Sequence, residues 1–179
     1  MMVKQRRRVC SRTASRARGC GVWSDDMHIT SSAFGNGNSI PERFTIDGAG
    51  EFPPLTLSDV PPTAVTVAVI VDDPDVPIER IPSGVFDHWV CWNLPPATAI
   101  IDAPQASGGT HGSNSRSTRQ YVLPAPPIGD GEHRYYFRAY ALDTRIELAA
   151  GATKAELLTA MAGHVVDSAE LMGRYRRRG

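Results

Sequence analysis

Three side chains with acid–base capacity stand at the ends of apolar runs. Val65, Val67, Val69 and Val71 lie in phase with Asp73. His133 heads the alternating set Tyr135, Phe137, Ala139 and Ala141, and His88 falls in phase with Phe86, Val90, Trp92 and Leu94. Period-two alternation puts each set on one strand face, so an aspartate and two histidines occupy or adjoin strand ends. Imidazoles hydrogen-bond through both nitrogens and charge near neutrality. Asp73 can set the tautomer of a neighbouring His, and Tyr135 adds a hydroxyl donor. Such a set can hold a small anion or serve as general acid and base. Each residue also has a plain structural use: a histidine on an apolar face is commonly a hydrogen-bonded core residue, and Asp73 before Pro74 suits a turn.

Other chemistries are weaker. Asp72-Asp73-Pro74-Asp75 with His88 and His133 invites a metal reading. The spacing matches no strong metal signature, and a turn whose carboxylates accept backbone N–H bonds is preferred. No serine lies in a G-x-S-x-G elbow. Cys91 alternates away from His88 and has no evident base, and Gly129-Asp130-Gly131 lacks the strand–helix context of a phosphate-binding fingerprint. No metal and no cofactor are expected.

The elements that position these residues are mostly strands. Val65–Val71 is β-branched and apolar on both faces, which predicts a central strand. Phe86–Leu94, stopped by Pro95-Pro96, and His133–Leu142, rich in aromatics, predict two more. Weaker strands are expected over 27–32, 42–46 and 55–57, with loops over 35–41, 47–54, 73–85 and 103–131. Thr153-Lys154-Ala155-Glu156 is a capping box. Leu157, Met161 and Val165, with Leu158, Ala162, Ala169 and Met172, continue at helical spacings. A C-terminal helix is therefore expected, with Gly163 placed to bend or split it and Gly173 to stop it. A short edge strand or frayed tail would follow over 174–178.

The 179 residues suffice for one domain, and 41% apolar with 21% charged residues is ordinary for a globular chain. The formal charge of zero hides a split. Residues 1–26 hold seven basic side chains against Asp25 and Asp26, net +5; residues 27–179 hold twelve against seventeen, net −5. The first segment is expected to be a disordered basic extension, either non-native or a start placed too early with Met27 as the true one. The alternative is a basic arm for nucleic acid, but no aromatic is interleaved among its arginines. Residues 27–179 are expected to form a single domain. Without Arg174, Arg176, Arg177 and Arg178 that body has eight basic against seventeen acidic groups, net −9. It is a poor match for nucleic acid or an anionic membrane. No run approaches the roughly 18–20 apolar residues of a spanning helix, no signal peptide is evident, and the three cysteines form no disulfide framework. A reducing cytoplasm is the expected home.

Several motifs occur in a telling order: Ser31-Ser32-Ala33-Phe34, Ile40-Pro41-Glu42-Arg43-Phe44-Thr45, Asp72-Asp73-Pro74-Asp75-Val76-Pro77, His88-Trp89-Val90-Cys91-Trp92-Asn93-Leu94-Pro95, Pro124 to Tyr135, and Ala162 to Tyr175. Together they resemble the phosphatidylethanolamine-binding protein family, in its bacterial and archaeal Raf-kinase-inhibitor-like branch. The resemblance implies a mainly β fold of two antiparallel sheets with Greek-key topology, one C-terminal helix and short peripheral helices. It implies a small pocket for phosphate, phosphorylated head groups or carboxylates. The matching positions are Asp73, Asp75, Pro77, His88, His133 and Tyr135, with Pro126, Pro127 and Gly129 in the rim loop and Arg134 bracing the sheet. It further implies a cis Val76–Pro77 bond, a homodimer, and roles that include kinase-pathway modulation and protease inhibition.

The chain departs from the family pattern in places. Leu123 stands where a glycine is usual, Leu57 where a Trp is common, and the 78–85 loop is longer. Between Gly112 and Tyr121 the usual acidic, aromatic and glycine residues are lost, and Arg116 lies in that stretch. A non-enzymatic anion-binding module is the expected function. A hydrolase or lyase using the Asp–His pair is the alternative, and an interaction protein with a vestigial pocket is a third reading.

Overall fold

A strand flanked on both sides and apolar on both faces must sit mid-sheet, and Thr66–Asp73 does so. The computed structural model describes residues 26–178. The basic extension read from the sequence therefore lies outside the described residues, apart from Asp26. The strands are β1 (His28–Ser31), β2 (Leu55–Ser58), β3 (Thr66–Asp73), β4 (Phe86–Leu94), β5 (Ile100–Ile101), β6 (Thr110–His111), β7 (His133–Leu142) and β8 (Val165–Tyr175). One α-helix, α1 (Lys154–Met161), and 3-10 turns at Glu42–Phe44 and Pro104–Ala106 complete the elements. One sheet has the order β1-β2-β5 and the other β6-β4-β3-β7-β8; their strand pairs are antiparallel.

The larger sheet separates two apolar cores. Val67, Val69, Val71, Trp89, Cys91, Tyr135, Phe137 and Ala139 face the smaller sheet, with Ile29, Leu55 and Leu57 opposite. Ala68, Ile70, Val90, Trp92 and Leu142 face away and are covered by Leu157 and Met161 of α1. The helix starts on the Thr153 capping box, in which Thr153 Oγ1 accepts from the Glu156 N–H and the Glu156 carboxylate accepts from the Thr153 N–H.

Two expected elements differ. Residues 42–46 are not a strand: after Pro41, the Phe44 and Thr45 N–H groups donate back to the Pro41 and Glu42 carbonyls and close a 3-10 turn. The helix does not run on toward Met172. Gly163, with φ +83°, reverses the chain, and residues 165–175 become β8, paired along β7 from Leu142 to His133. The ladder offers a backbone partner to nearly every residue there, which outweighs a weak helical spacing. Gly173 is not a helix stop but a close approach, since a Cβ there would lie 2.5 Å from Ile40 and 2.7 Å from Phe34.

A charged cluster ties α1 to the outer face of the larger sheet. Asp72, 6% exposed, accepts from Arg138 at 2.6 Å and from Lys154 at 3.0 Å. Arg138 also reaches Glu170, and Lys154 reaches Asp87.

Candidate functional site

Two register shifts decide where the side chains of β4 point. Val71 pairs with Trp89 but Asp72 pairs with Asp87, so β4 carries one extra residue there, His88. A second shift falls opposite the Val67–Val69 segment, near Asn93, whose φ is +59°. A bulge inserts a residue and re-aims the side chains beyond it. Trp89, Cys91 and Leu94 face the inter-sheet core, Val90 and Trp92 face the helix, and His88 turns to the side of Asp73, His133 and Tyr135. The expectation that Phe86, His88, Val90, Trp92 and Leu94 share one face is thereby corrected. Simple alternation fails because the strand is interrupted twice.

These residues meet in a cavity of about 260 Å³. Asp73, His88, His133 and Tyr135 lie in its wall with Phe86, Val76, Ile81, Val122, Leu123, Ala125, Pro126 and Pro127, and Arg80 and Arg116 add cationic groups. A wall that is largely apolar with a few convergent polar groups is the usual form of a small-ligand site. A larger cleft of about 470 Å³ lies between Glu42, Asp47, Glu132 and the C-terminal Arg176 and Arg178. There Asp47 already accepts from the Tyr175 hydroxyl and Arg177, so its charge is satisfied within the chain.

Asp73 is fixed on both oxygens. Oδ1 accepts from the Asp75 N–H at 2.8 Å, and Oδ2 lies 2.7 Å from His133 Nδ1. Burial pushes the Asp73 carboxyl up, against the His133 hydrogen bond, which lowers it. His88 Nδ1 donates to the Val122 carbonyl at 2.7 Å, and the Val122 N–H donates back to the His88 carbonyl at 3.0 Å. The ring packs on Phe86, 4.7 Å between centroids, and edge-on to Tyr135 at 5.2 Å. Burial pulls the imidazole down from 6.5 to about 4, outweighing the carbonyl bond that favours its charged form. His88 therefore stays neutral between pH 5 and 8, contrary to the expectation that it charges near neutrality. Burial also pushes the Tyr135 phenol up, with Asp73 adding to it.

The other expected positions have different places. Asp75 is outside the cavity wall: Arg134 grips both its oxygens, at 2.8 and 2.6 Å, and the Arg134 N–H donates at 2.8 Å. That contact holds the Asp75 carboxyl below the usual range and ties the 73–77 loop to the start of β7, so Arg134 braces that loop. Pro77 is also outside the wall; its carbonyl accepts from the Arg80 and Ile81 N–H groups. Gly129 supplies the positive φ, +94°, of the rim turn without touching the cavity. The expected cis Val76–Pro77 bond is not found; no cis peptide occurs among the described residues. The five groups of the metal reading do not converge, since Asp72 faces Arg138 and Lys154 across the sheet and Asp75 is held by Arg134.

Spacing paired Phe86 with His88 on one strand face but did not single out Val76, Arg80, Ile81, Arg116, Val122, Leu123 or Ala125 as wall residues. Four of these, Arg80, Ile81, Arg116 and Leu123, lie in the segments that depart from the family pattern, which was the one available signal. Cys91 is remote from acid–base help: burial pushes its thiol up to about 12.

Comparison with known proteins places this architecture. A family model described as phosphatidylethanolamine-binding protein matches residues 30–176. A UPF0098 protein of Chlamydia muridarum is 42% identical over 151 residues, covering 84% of this chain and 99% of the relative. The crystal structure of a putative phosphatidylethanolamine-binding protein homolog from Chlamydia trachomatis superposes with TM-score 0.82 at 41% identity, covering 87% of this chain and 100% of that one. E. coli YbcL, described as a new member of the mammalian PEBP family, shares the fold, with TM-score 0.75 at 24% identity over 86% of this chain and 99% of its own. The chain belongs to the phosphatidylethanolamine-binding protein family.

Proposed function

We propose that the protein is a non-enzymatic binding module whose cavity takes a small anionic group: a phosphate, a phosphorylated head group or a carboxylate. One observation carries this reading. The Asp73–His133 pair, His88 and Tyr135 converge from three strands at one end of an apolar cavity of about 260 Å³. The family supports it, since the matching family model is named for binding a phosphorylated head group. Asp73, His88, His133 and Tyr135 form the floor, Pro126 and Pro127 the rim wall, and Asp75, Pro77 and Gly129 hold the loops that shape it. A regulatory role, acting on a protein kinase or protease, is the use to which such a module is put. Among the described residues no helix is long and apolar enough to cross a membrane, and a cytoplasmic setting suits the reduced, buried Cys91.

Titration with O-phosphoethanolamine, followed by amide chemical shifts, tests the site. Saturable shifts are expected at the cavity residues, and His133→Ala is expected to weaken binding at least about tenfold, the effect of one lost charge-assisted hydrogen bond. Unchanged affinity in His133→Ala would remove the site assignment.

The Asp73–His133 hydrogen bond is also a general acid–base geometry, which keeps a hydrolase or lyase as the alternative. Turnover of a phosphomonoester or ester that disappears in His133→Ala would favour it. The proposal includes a homodimer, and light scattering giving the mass of one chain at micromolar concentration would refute that part.

A further inference from the structure

The cavity has a neighbour. A groove of about 270 Å³ lies beside it, and Arg116, Val122, Leu123 and Ala125 line both. The 122–125 segment is therefore the partition between them. Its backbone is pinned from two sides. Val122 exchanges hydrogen bonds with His88 at 2.7 and 3.0 Å, and the Pro124 carbonyl accepts from the Ile46 N–H at 3.1 Å. The Leu123 side chain leans on the 46–50 loop, with Cδ1 3.2 Å from where a Cβ on Gly50 would stand.

Arg116 is the charged residue common to the two compartments. Its positive charge is felt at His88, where it opposes protonation of the ring. Among the described residues its guanidinium takes part in no ion pair. Arg80, the other cation of the cavity wall, is bridged to Asp130. The Arg116 loop is braced by the buried Asn114, which accepts from the Arg116 and Thr118 N–H groups at 2.9 and 3.0 Å and donates to Thr118 Oγ1 and the Gln120 carbonyl. Apart from Arg116 the groove wall is uncharged: Ile46 is exposed there, and Thr118 and Gln120 bring a hydroxyl and an amide. Apolar surface with neutral hydrogen-bonding groups suits an uncharged, hydroxylated chain rather than a second charge.

We propose that cavity and groove are one two-part site for an organic phosphate ester. The phosphoryl group enters the cavity beside Arg116, and the uncharged, hydroxylated arm it carries crosses the 122–125 partition into the groove. Specificity then lies in the arm, because the cavity meets every phosphoryl group alike and the groove meets only what is attached to it. Bare phosphate or a small carboxylate fills the cavity alone and binds more weakly. The proposal rests on the anion-binding reading and names, within it, the ligand that fills both compartments.

Calorimetry of the full chain with methyl phosphate and with glycerol 3-phosphate, at pH 7 and matched ionic strength, tests it. The two esters carry the same phosphoryl group and differ in the arm. Glycerol 3-phosphate is expected to bind at least about fivefold tighter, the effect of two hydroxyl hydrogen bonds. Gln120→Trp, which fills the groove, is expected to bring that ratio toward one, and Arg116→Gln to weaken both esters about tenfold. Equal affinity of the wild type for the two esters overturns the proposal while leaving anion binding intact, and binding of neither overturns both. A ratio that survives Gln120→Trp removes the groove, and unchanged affinities in Arg116→Gln remove Arg116. If Gln120→Trp does not fold, wild-type amide shifts decide: Thr118 and Gln120 are expected to move with glycerol 3-phosphate and not with methyl phosphate, and equal movement with both overturns the proposal. Sedimentation with phosphatidylglycerol vesicles separates the two sources of such a group. Binding lost in Gln120→Trp assigns a lipid head group, no binding assigns the free ester, and binding that the variant keeps removes the groove.

Discussion

Replacing Asp72 by alanine is expected to lower folding stability by about 3–5 kcal/mol, the cost of leaving a buried charge without its partner. Asp72 is 6% exposed and receives both Arg138 and Lys154. Its loss leaves two cations on the outer face of the sheet, with side chains 28% and 18% exposed. Arg138 keeps Glu170 and Lys154 keeps Asp87, so the lower end of the range is expected. The urea midpoint should fall with little change in slope, because the surface exposed on unfolding is nearly the same. A change below about 0.5 kcal/mol, the size of an ordinary surface substitution, would show that the cluster is not a stabilising unit. Asp72 also adjoins Asp73 on β3, so the substitution should weaken ligand binding even under conditions where the protein stays folded.

The second large effect is expected from acid. His88 is neutral in the fold, with its pKa moved from 6.5 to about 4 by burial. A base held below its unfolded value takes up a proton more readily when the chain unfolds. Its contribution is therefore fully present above pH 6.5 and is lost as pH falls from 6.5 to about 4. The shift corresponds to roughly 3 kcal/mol at 1.36 kcal/mol per unit. Asp73 acts oppositely: its carboxyl is raised in the fold, so its protonation at low pH favours the folded state. Urea midpoints at pH 7 and at pH 4.5 should differ strongly in the wild type and much less in His88→Gln. Equal pH dependence in both proteins would show that His88 is not the titrating group.

These effects arise from different degrees of legibility. Phe86–Leu94 and His133–Leu142 could be read to the residue, because β-branched and aromatic runs ended by Pro95 or flanked by Gly131 leave little choice. The family could be read too, because ordered motifs over nearly the whole body are specific. The segment 165–175 could not. Val165, Ala169 and Met172 have helical spacing, and only the β7 edge waiting for a partner makes a strand of them. Residues 42–46 show the reverse: Pro41 and the local back-bonds to the Pro41 and Glu42 carbonyls close a turn where a weak strand was expected.

The site divides in the same way. By itself the sequence determined that Asp73, His88 and His133 lie at or beside the ends of apolar strand runs and that the body is acidic; the family resemblance added Tyr135 and a rim loop of Pro126, Pro127 and Gly129. Those properties depend on residue type and on nearest neighbours along the chain. Only the tertiary structure decided that His88 faces His133 at all. A one-residue bulge is a property of how β3 and β4 pair, not of either strand alone. It likewise decided that Asp75 belongs to Arg134, that His88 donates to Val122 and is kept neutral by burial, and that Arg116 reaches the cavity wall with no carboxylate partner among the described residues. Hydrogen-bond direction and desolvation depend on groups 34 to 59 residues away in sequence, and no local pattern encodes them.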